Sequence, residues 1–428
     1  MPGFLSRRRY ARNRLPMVFA VLGPGIIAAT ADNDATGIFG YSLAGARYQY
    51  SLLWVLVLCT IALAVCQEMG ARMGAVTGKG LADLIREEYG VRVTLLAMAA
   101  LLVANFATTV AEFAGILVAV RAFTGAGGGA AARFVAVPAA AIVVWLMVVR
   151  GTYRGLERIL LAASLVYLLY VVSALLARPP WGVVLRQSLV PTLPHGAALR
   201  DYVFVMINMI GTTITPWGQF YVQSSVRDKG VRPEQYSLTR LDVFLGACFT
   251  TGIAFFIVVC CGATLFVAGH HRLADAGEAA RALVPLAGPM AGLLFAVGLF
   301  NASCFGAIAV PLSTAYAVTE SLGWESGVGR RTREAPLFVG VFTFLVFVSA
   351  IVVMAFPHHL TALIILPNIV GGMLLPIVLV LMLRLVNRPR LMGGYTNSPA
   401  YNAVAWATTA TLIGLSTTLV VAGLVGAA

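Results

Sequence analysis

Two long apolar stretches of this chain are interrupted near their centres, and these interruptions constrain its fold more than any other feature. The first stretch covers 18–42 and contains the run from Asp32 to Gly37. The second covers 202–226 and contains the run from Gly211 to Gly218. Because a helix in hydrocarbon satisfies its own backbone, a break is tolerated only where it is buried in protein or lines a cavity. Two breaks at corresponding positions indicate the substrate site of a transporter built from inverted repeats.

The composition places the rest of the chain in a membrane as well. Hydrophobic residues make up 60% of the 428 positions, the mean hydropathy is +0.88 and only 11% of residues are charged, whereas soluble domains are about a quarter charged. A helix needs about 20 apolar residues to cross a bilayer. Eleven stretches meet this need, near 18–42, 51–71, 92–122, 134–149, 159–177, 202–226, 241–268, 287–318, 336–356, 360–386 and 403–425. We therefore predict an all-α integral membrane protein with a basic cytoplasmic N-terminus at 1–17 and a single transmembrane domain of eleven helices at 18–428.

The distribution of basic residues predicts the orientation of the chain. The formal net charge of +13 could indicate a nucleic-acid partner. If the N-terminus is cytoplasmic, however, 22 of the 30 Lys and Arg residues fall in inner segments and 8 in outer segments, which is the bias that the positive-inside rule describes. We therefore expect a multi-pass protein of the inner (plasma) membrane, with a cytoplasmic N-terminus, an extracellular C-terminus and no nucleic-acid partner.

Cysteines, histidines and catalytic patterns give no indication of a cofactor or an enzyme. The six cysteines fall inside apolar stretches without the spacing of a zinc site or a disulfide framework. The spans contain no His-Glu-x-x-His or Gly-x-Ser-x-Gly pattern. All histidines map to external connections, where solvation explains them, with a cation-collecting mouth as the alternative: His195, His270, His271, His358 and His359. We expect a monomer in the lipid bilayer, without a cofactor.

Three acidic residues lie deep within the apolar stretches: Asp32 and Asp34 in the first and Glu112 in the third. An acid at the centre of a bilayer costs about 2.5–3.5 kcal/mol, which makes each a candidate functional residue. Asp34 sits at a helix break, where freed carbonyls can join it around a cation, although a carboxylate can also simply cap the second half-helix. For Asp32 an outer-vestibule role and a structural role remain equally open.

Several motifs resemble those of the Nramp-type divalent-metal transporters. They are Gly23-Pro24-Gly25, the Asp34 break, Ala44-Gly45-Ala46, Tyr50-Ser51-Leu52-Leu53-Trp54, Val76-Thr77-Gly78-Lys79, Ala111-Glu112, Pro216, Leu294-Phe295-Ala296, Pro376 and Met392-Gly393. The resemblance covers almost the whole chain. It implies a LeuT-like fold in which spans 1–5 and 6–10 form inverted repeats, helices 1 and 6 are discontinuous, and an eleventh helix follows.

The chain departs from the family at its two signatures. Where the family has Asp-Pro-Gly-Asn, this chain has Asp34-Ala35-Thr36-Gly37, which keeps the acid and loses the amide. Where the family has Met-Pro-His, it has Thr215-Pro216-Trp217, which loses a soft thioether ligand. These changes resemble the Nramp-related magnesium transporter branch. Because both replacements are short, we expect an enlarged site that holds Mg²⁺, and also Mn²⁺, as a partly hydrated ion.

The resemblance also implies a set of ligands around Asp34. The backbone carbonyls of Ala31 and Thr212 would contribute oxygens at the two breaks, next to Gly37. Further candidates are side-chain oxygens, namely Thr36, Thr215, Gln219 and Asn368. For the hydroxyl and amide groups the alternative is a hydrogen bond to the local backbone.

Most titratable residues of the family's proton path are replaced by non-titratable residues in this chain. Thr109 replaces its third-span aspartate, and Trp217 and Val222 replace its sixth-span histidines, while Glu112 is retained. Since a proton path needs titratable groups linked through the membrane, we expect a uniporter that works by alternating access around Asp34. The alternatives are a proton-coupled Mn²⁺ or Fe²⁺ transporter and an amino-acid or organic-solute symporter of the same fold.

Overall fold

The structure is a computed structural model that describes residues 23–124, 129–193, 198–273 and 276–426. Within these ranges the regular structure is entirely helical, which confirms the predicted all-α class. The basic segment 1–17, the start of the first span, residues 125–128 and His195 lie outside the described residues.

Sixteen helices form the framework of the described chain. In order they are α1 Pro24–Ala31, α2 Ala35–Tyr48, α3 Leu53–Thr77, α4 Leu81–Thr124, α5 Val137–Val149, α6 Tyr153–Val166, α7 Leu168–Leu176, α8 Trp181–Leu189, α9 Ala198–Thr213, α10 Pro216–Asp228, α11 Tyr236–Thr264, α12 Ala276–Ala287, α13 Pro289–Leu322, α14 Pro336–Ala355, α15 Leu360–Val386 and α16 Pro399–Gly426. Short helical turns join some of them, at Gly129–Ala131, Ala132–Ala136, Pro233–Gln235, Pro389–Met392 and Gly393–Tyr395.

The helices correspond to the predicted spans. Eight helical segments of the described chain are long and apolar enough to cross a membrane. The remaining predicted spans are the interrupted pairs α1–α2 and α9–α10 and the C-terminal α16. Helix α4, which contains the third predicted span, begins earlier than predicted, at Leu81. It bends at Gly90, whose φ of 80° suits a residue without a Cβ.

In both interrupted spans a side-chain oxygen forms the N-cap of the helix that follows the break. Asp34 has an extended backbone, and its side chain accepts a hydrogen bond from the Gly37 N–H at the start of α2. Thr215 is also extended, and its hydroxyl accepts a hydrogen bond from the Gly218 N–H at the start of α10. Each second half-helix is therefore capped by the side chain before it, which satisfies a backbone N–H that is buried away from water.

Packing brings the two breaks together in the centre of the bundle. Helices α1 and α2 lie against α11, while α10 lies against α3 and α13, and α4 packs along α13. The Asp242 carboxylate on α11 accepts hydrogen bonds from the N–H groups of Gly23 (3.0 Å) and Gly25 (2.7 Å), which fixes the start of α1. A Cβ on Gly25 would approach the Val243 nitrogen to 2.7 Å, so this close contact requires glycine.

The two ends of α11 provide a test of orientation. Glu234 just before α11 and His270 just after it are both exposed, and α11 crosses the membrane between them. The positive-inside bias places Glu234 in the cytoplasm and His270 outside. In a background where the exposed Cys248 is replaced by alanine, we expect a membrane-impermeant maleimide to label His270→Cys but not Glu234→Cys in intact cells. Labelling of Glu234→Cys alone would contradict the predicted topology.

Candidate functional site

The two carboxylate oxygens of Asp34 differ in their hydrogen bonding. Its side chain is buried, with 1% of its surface exposed. Oδ1 accepts hydrogen bonds from the Thr36 hydroxyl (2.7 Å) and the Gly37 N–H (2.8 Å), so this oxygen caps α2. Oδ2 is buried and has no hydrogen-bond partner. Capping and ligation are therefore not alternatives for Asp34, because the second oxygen stays available to a cation.

Both breaks release a backbone carbonyl from helical pairing. In a continuous helix the Ala35 N–H would donate to the Ala31 carbonyl, but here it donates to Oε2 of Glu112 at 3.2 Å. The Thr212 carbonyl would pair with the nitrogen of Pro216, which has no hydrogen to donate. These are the two carbonyls that the resemblance implies as ligands, and the chain leaves each of them without its helical donor.

The hydroxyl groups of Thr36 and Thr212 complete the polar cluster around Asp34. Their oxygens lie 3.0 Å apart across the two broken spans. Gly37 faces the same place, and a Cβ there would come within 2.9 Å of the Asp32 carbonyl oxygen and 3.3 Å of the Thr212 hydroxyl. The expectation that Gly37 enlarges the site is therefore wrong. Its missing side chain lets α2 pack closely against the breaks instead.

Asp32 is the centre of a second cluster. It is completely buried, and its Oδ1 and Oδ2 accept hydrogen bonds from the Thr215 hydroxyl (2.7 Å) and the Gln67 amide (3.3 Å). Thr215 is thus bonded to Asp32 and not to Asp34, and the Gln219 amide donates to the Thr215 carbonyl at 3.4 Å. This burial does not fit the outer-vestibule role considered for Asp32.

The remaining predicted residues lie around these two clusters. Glu112 is fully buried; its Oε2 accepts from the Ala35 N–H directly after Asp34, and its Oε1, like Oδ2 of Asp34, has no hydrogen-bond partner. Thr109 donates to the Asn105 carbonyl of its own helix at 2.7 Å, which is the local alternative. Trp217 is 2% exposed and fills space beside the α10 break. Asn368 is half-buried and donates to the side chain of Asn208 at 2.8 Å, one turn before Thr212.

The acids of this centre have no basic partner. None of the ion pairs in the described ranges involves Asp32, Asp34 or Glu112. Nor do the described residues include a group of three or more His, Cys, Asp or Glu side chains placed to hold a metal. The centre therefore offers two unpaired carboxylate oxygens, Oδ2 of Asp34 and Oε1 of Glu112, and several neutral oxygens, a donor set typical of sites for hard cations.

Sequence reasoning missed Gln67 and Asn208. Both are uncharged amides, Gln67 in the second span and Asn208 four residues before Thr212. Gln67 has 0% exposure, and an amide so deep in an apolar stretch is a signal of the same kind as a deep acid. A deep amide can therefore mark a functional position from the sequence, as a deep acid does.

Two broken helices that meet around buried, unpaired acids define an integral membrane transporter. Comparisons with known proteins agree. The family model described as natural resistance-associated macrophage protein-like (Nramp) matches residues 25–422. The chain belongs to the Nramp family, whose members are transporters and not enzymes.

Several relatives are divalent metal cation transporters named MntH. The protein from Ralstonia nicotianae is 31% identical over 401 residues, covering 90% of this chain and 86% of the relative. The protein from Klebsiella pneumoniae subsp. pneumoniae is 26% identical over 412 residues and covers 95% of each chain.

Solved structures confirm the LeuT-like fold. The manganese transporter of Eremococcus coleocola, solved with an aromatic bis-isothiourea compound, has a TM-score of 0.79 at 19% identity, covering 95% of this chain and 87% of that one. Mhp1, a nucleobase-cation-symport-1 family transporter, has a TM-score of 0.59 at 16% identity, covering 94% and 91%. At these identities the likeness concerns the fold alone.

Proposed function

We propose that the protein carries divalent metal cations across the inner (plasma) membrane and holds them at Asp34, between the two breaks. The observation that carries this proposal is the Oδ2 atom of Asp34, a buried acceptor without a donor; among the described residues no Lys, Arg or His forms an ion pair with Asp32, Asp34 or Glu112. An unpaired carboxylate at this depth is costly, and a bound cation removes the cost. The MntH relatives and the manganese transporter of similar fold support the same substrate class.

The substrate we favour is Mg²⁺, with Mn²⁺ as a second substrate. Asp34 Oδ2 and the carbonyls of Ala31 and Thr212 supply three oxygens, and the hydroxyls of Thr36 and Thr212 can add to them. Mg²⁺ takes six oxygen ligands and keeps several waters in protein sites, so this incomplete set suits a partly hydrated ion. The absence of a thioether removes one reason to prefer Mn²⁺. Ligand chemistry and not the size of the site favours Mg²⁺, since Gly37 does not widen the site.

Replacement of the ligand tests the site. We expect Asp34→Ala to abolish uptake of Mg²⁺ and Mn²⁺ into proteoliposomes and to weaken binding in calorimetry by at least about 100-fold, since neutral oxygens alone cannot offset the desolvation of the ion. Glu325→Ala, which removes an exposed acid far from the breaks, is the control and should leave both unchanged. Unchanged affinity in Asp34→Ala would show that the site is elsewhere.

A soft ligand at the second break tests the basis of selectivity. We expect Thr215→Met to raise uptake of Mn²⁺ relative to Mg²⁺ several-fold compared with Thr215→Leu, since both variants lose the α10 cap and only one gains a sulfur atom. The matching change Gly37→Asn is unsuitable, because its Cβ would clash with the Asp32 carbonyl. Equal Mn²⁺ to Mg²⁺ ratios in the two variants would contradict this explanation.

We propose further that transport is a uniport without proton coupling. Histidines in the described ranges lie at the ends of helices, Thr109 is bonded to its own helix, and Trp217 is buried where the family has a histidine. One observation favours the alternative function, that of a proton-coupled Mn²⁺ or Fe²⁺ transporter. Glu112 and Asp34 are neighbouring buried acids at the first break, where Glu112 Oε2 accepts from the Ala35 N–H directly after Asp34, and two adjacent buried acids readily share a proton that a metal could displace.

The two mechanisms differ in what enters with the metal. In proteoliposomes that contain a pH-sensitive dye, we expect Mg²⁺ or Mn²⁺ uptake without acidification of the lumen, at rates that follow the metal gradient and the membrane potential. An ionophore that imports protons serves as the positive control for the dye. Acidification that tracks metal entry and saturates with it would refute uniport and favour the proton-coupled mechanism through Glu112.

A further inference from the structure

Asp32 is a second buried carboxylate at the first break, and the proposed binding of a cation at Asp34 gives it no function. It has 0% exposure, and the two groups that donate to its carboxylate are both neutral, the Thr215 hydroxyl and the Gln67 amide. The N-terminal end of α10, where Thr215 is the cap, stabilises a negative charge only in part. Asp32 is therefore an anionic position that a cation could neutralise.

The Gln67 amide points to such a cation. Its nitrogen donates to Asp32, while its oxygen is buried and has no partner. A half-turn of the amide exchanges these two atoms and places the oxygen toward the Asp32 carboxylate. Two oxygens that face each other in this way repel unless a cation lies between them, so the pair can take up a cation without moving the backbone.

Further side-chain oxygens lie in a row along α10, beginning at Thr215 beside Asp32. Thr215, Gln219 and Gln223 follow one another at intervals of four residues and share a face of that helix. Gln219 and Gln223 are fully buried, and the Oε1 atom of each has no partner. The row ends where the Gln223 amide donates to the Lys79 carbonyl at 3.0 Å, just beyond α3, on the side we expect to be cytoplasmic.

We propose that Asp32, with Gln67 and Gln219, forms a second cation-holding site on the cytoplasmic side of the breaks, which receives the divalent cation from Asp34 before release. This inference rests on the proposed function. Carboxylate and amide oxygens suit hard divalent cations. The two sites are occupied in turn and not together, because two doubly charged ions a few ångströms apart repel strongly in a low-dielectric interior.

The experiment separates the two carboxylates with Mn²⁺ as the probe. Asp32→Asn has the shape of the native side chain and can still accept from Thr215, so a purely structural Asp32 predicts normal transport for it. We expect instead a Kd for Mn²⁺ within about threefold of the native value and a kcat for uptake at least about tenfold lower, with little change in KM. Asp34→Ala should keep weak Mn²⁺ binding that Asp34→Ala with Asp32→Asn lacks.

Further variants separate loss of the second site from misfolding of the protein. Gln67→Met removes the unpaired oxygen at similar volume and should also lower kcat without raising KM. Glu325→Ala, which removes an exposed acid just after α13, is the control and should transport normally. Thermal unfolding establishes that each variant is folded.

The outcomes separate the two proposals. Asp32 has a purely structural role, and this inference is wrong, if two results are found together. Asp32→Asn and Gln67→Met transport like the native protein, and Asp34→Ala with Asp32→Asn binds Mn²⁺ as Asp34→Ala does. If Asp34→Ala alone binds Mn²⁺ with native affinity, the proposed transport site fails instead.

Discussion

The need to satisfy backbone hydrogen bonds inside a membrane shapes this protein. A helix that stops in hydrocarbon exposes N–H and carbonyl groups that water cannot reach. Here both breaks cap the new half-helix with a side-chain oxygen, from Asp34 in one span and Thr215 in the other. The caps satisfy donors only, so the carbonyls of Ala31 and Thr212 stay without helical partners. The same chemistry that makes the breaks tolerable thus leaves unused oxygens at the centre of the bundle.

The electrostatics of this centre favour a cation over an anion. Three buried acids lie near the breaks without an ion pair to Lys or Arg in the described residues. In many transporters of this architecture half-helix N-termini receive anionic substrate groups. In this chain Asp34 and Asp32 already occupy those positions as side chains, and a carboxylate substrate would meet their charge. An organic-acid symporter is therefore disfavoured, and the neighbouring buried acids Glu112 and Asp34 keep proton coupling as the alternative to uniport.

Sequence reasoning located the breaks, the helices and most of the polar residues of the centre. Asp34, Thr36 and Thr212 could be placed together because the break and Pro216 are visible as local patterns. The division into two clusters could not be predicted, since a sequence gives the position of Thr215 along its helix but not which carboxylate it faces. Gly37 was misjudged for a related reason. Whether a missing side chain leaves a space or allows close packing depends on the Asp32 carbonyl, whose position only the fold determines.

The central claim is that a divalent cation binds between the two breaks at Asp34. Anomalous scattering from crystals of the protein grown with Mn²⁺ tests it most directly, because the signal locates the ion without assumptions about its ligands. We expect a peak about 2.0–2.5 Å from Oδ2 of Asp34 and within ligand distance of the Ala31 and Thr212 carbonyls. A fully occupied Mn²⁺ elsewhere in the protein, with neither Asp34 nor Asp32 in contact with metal, would contradict it.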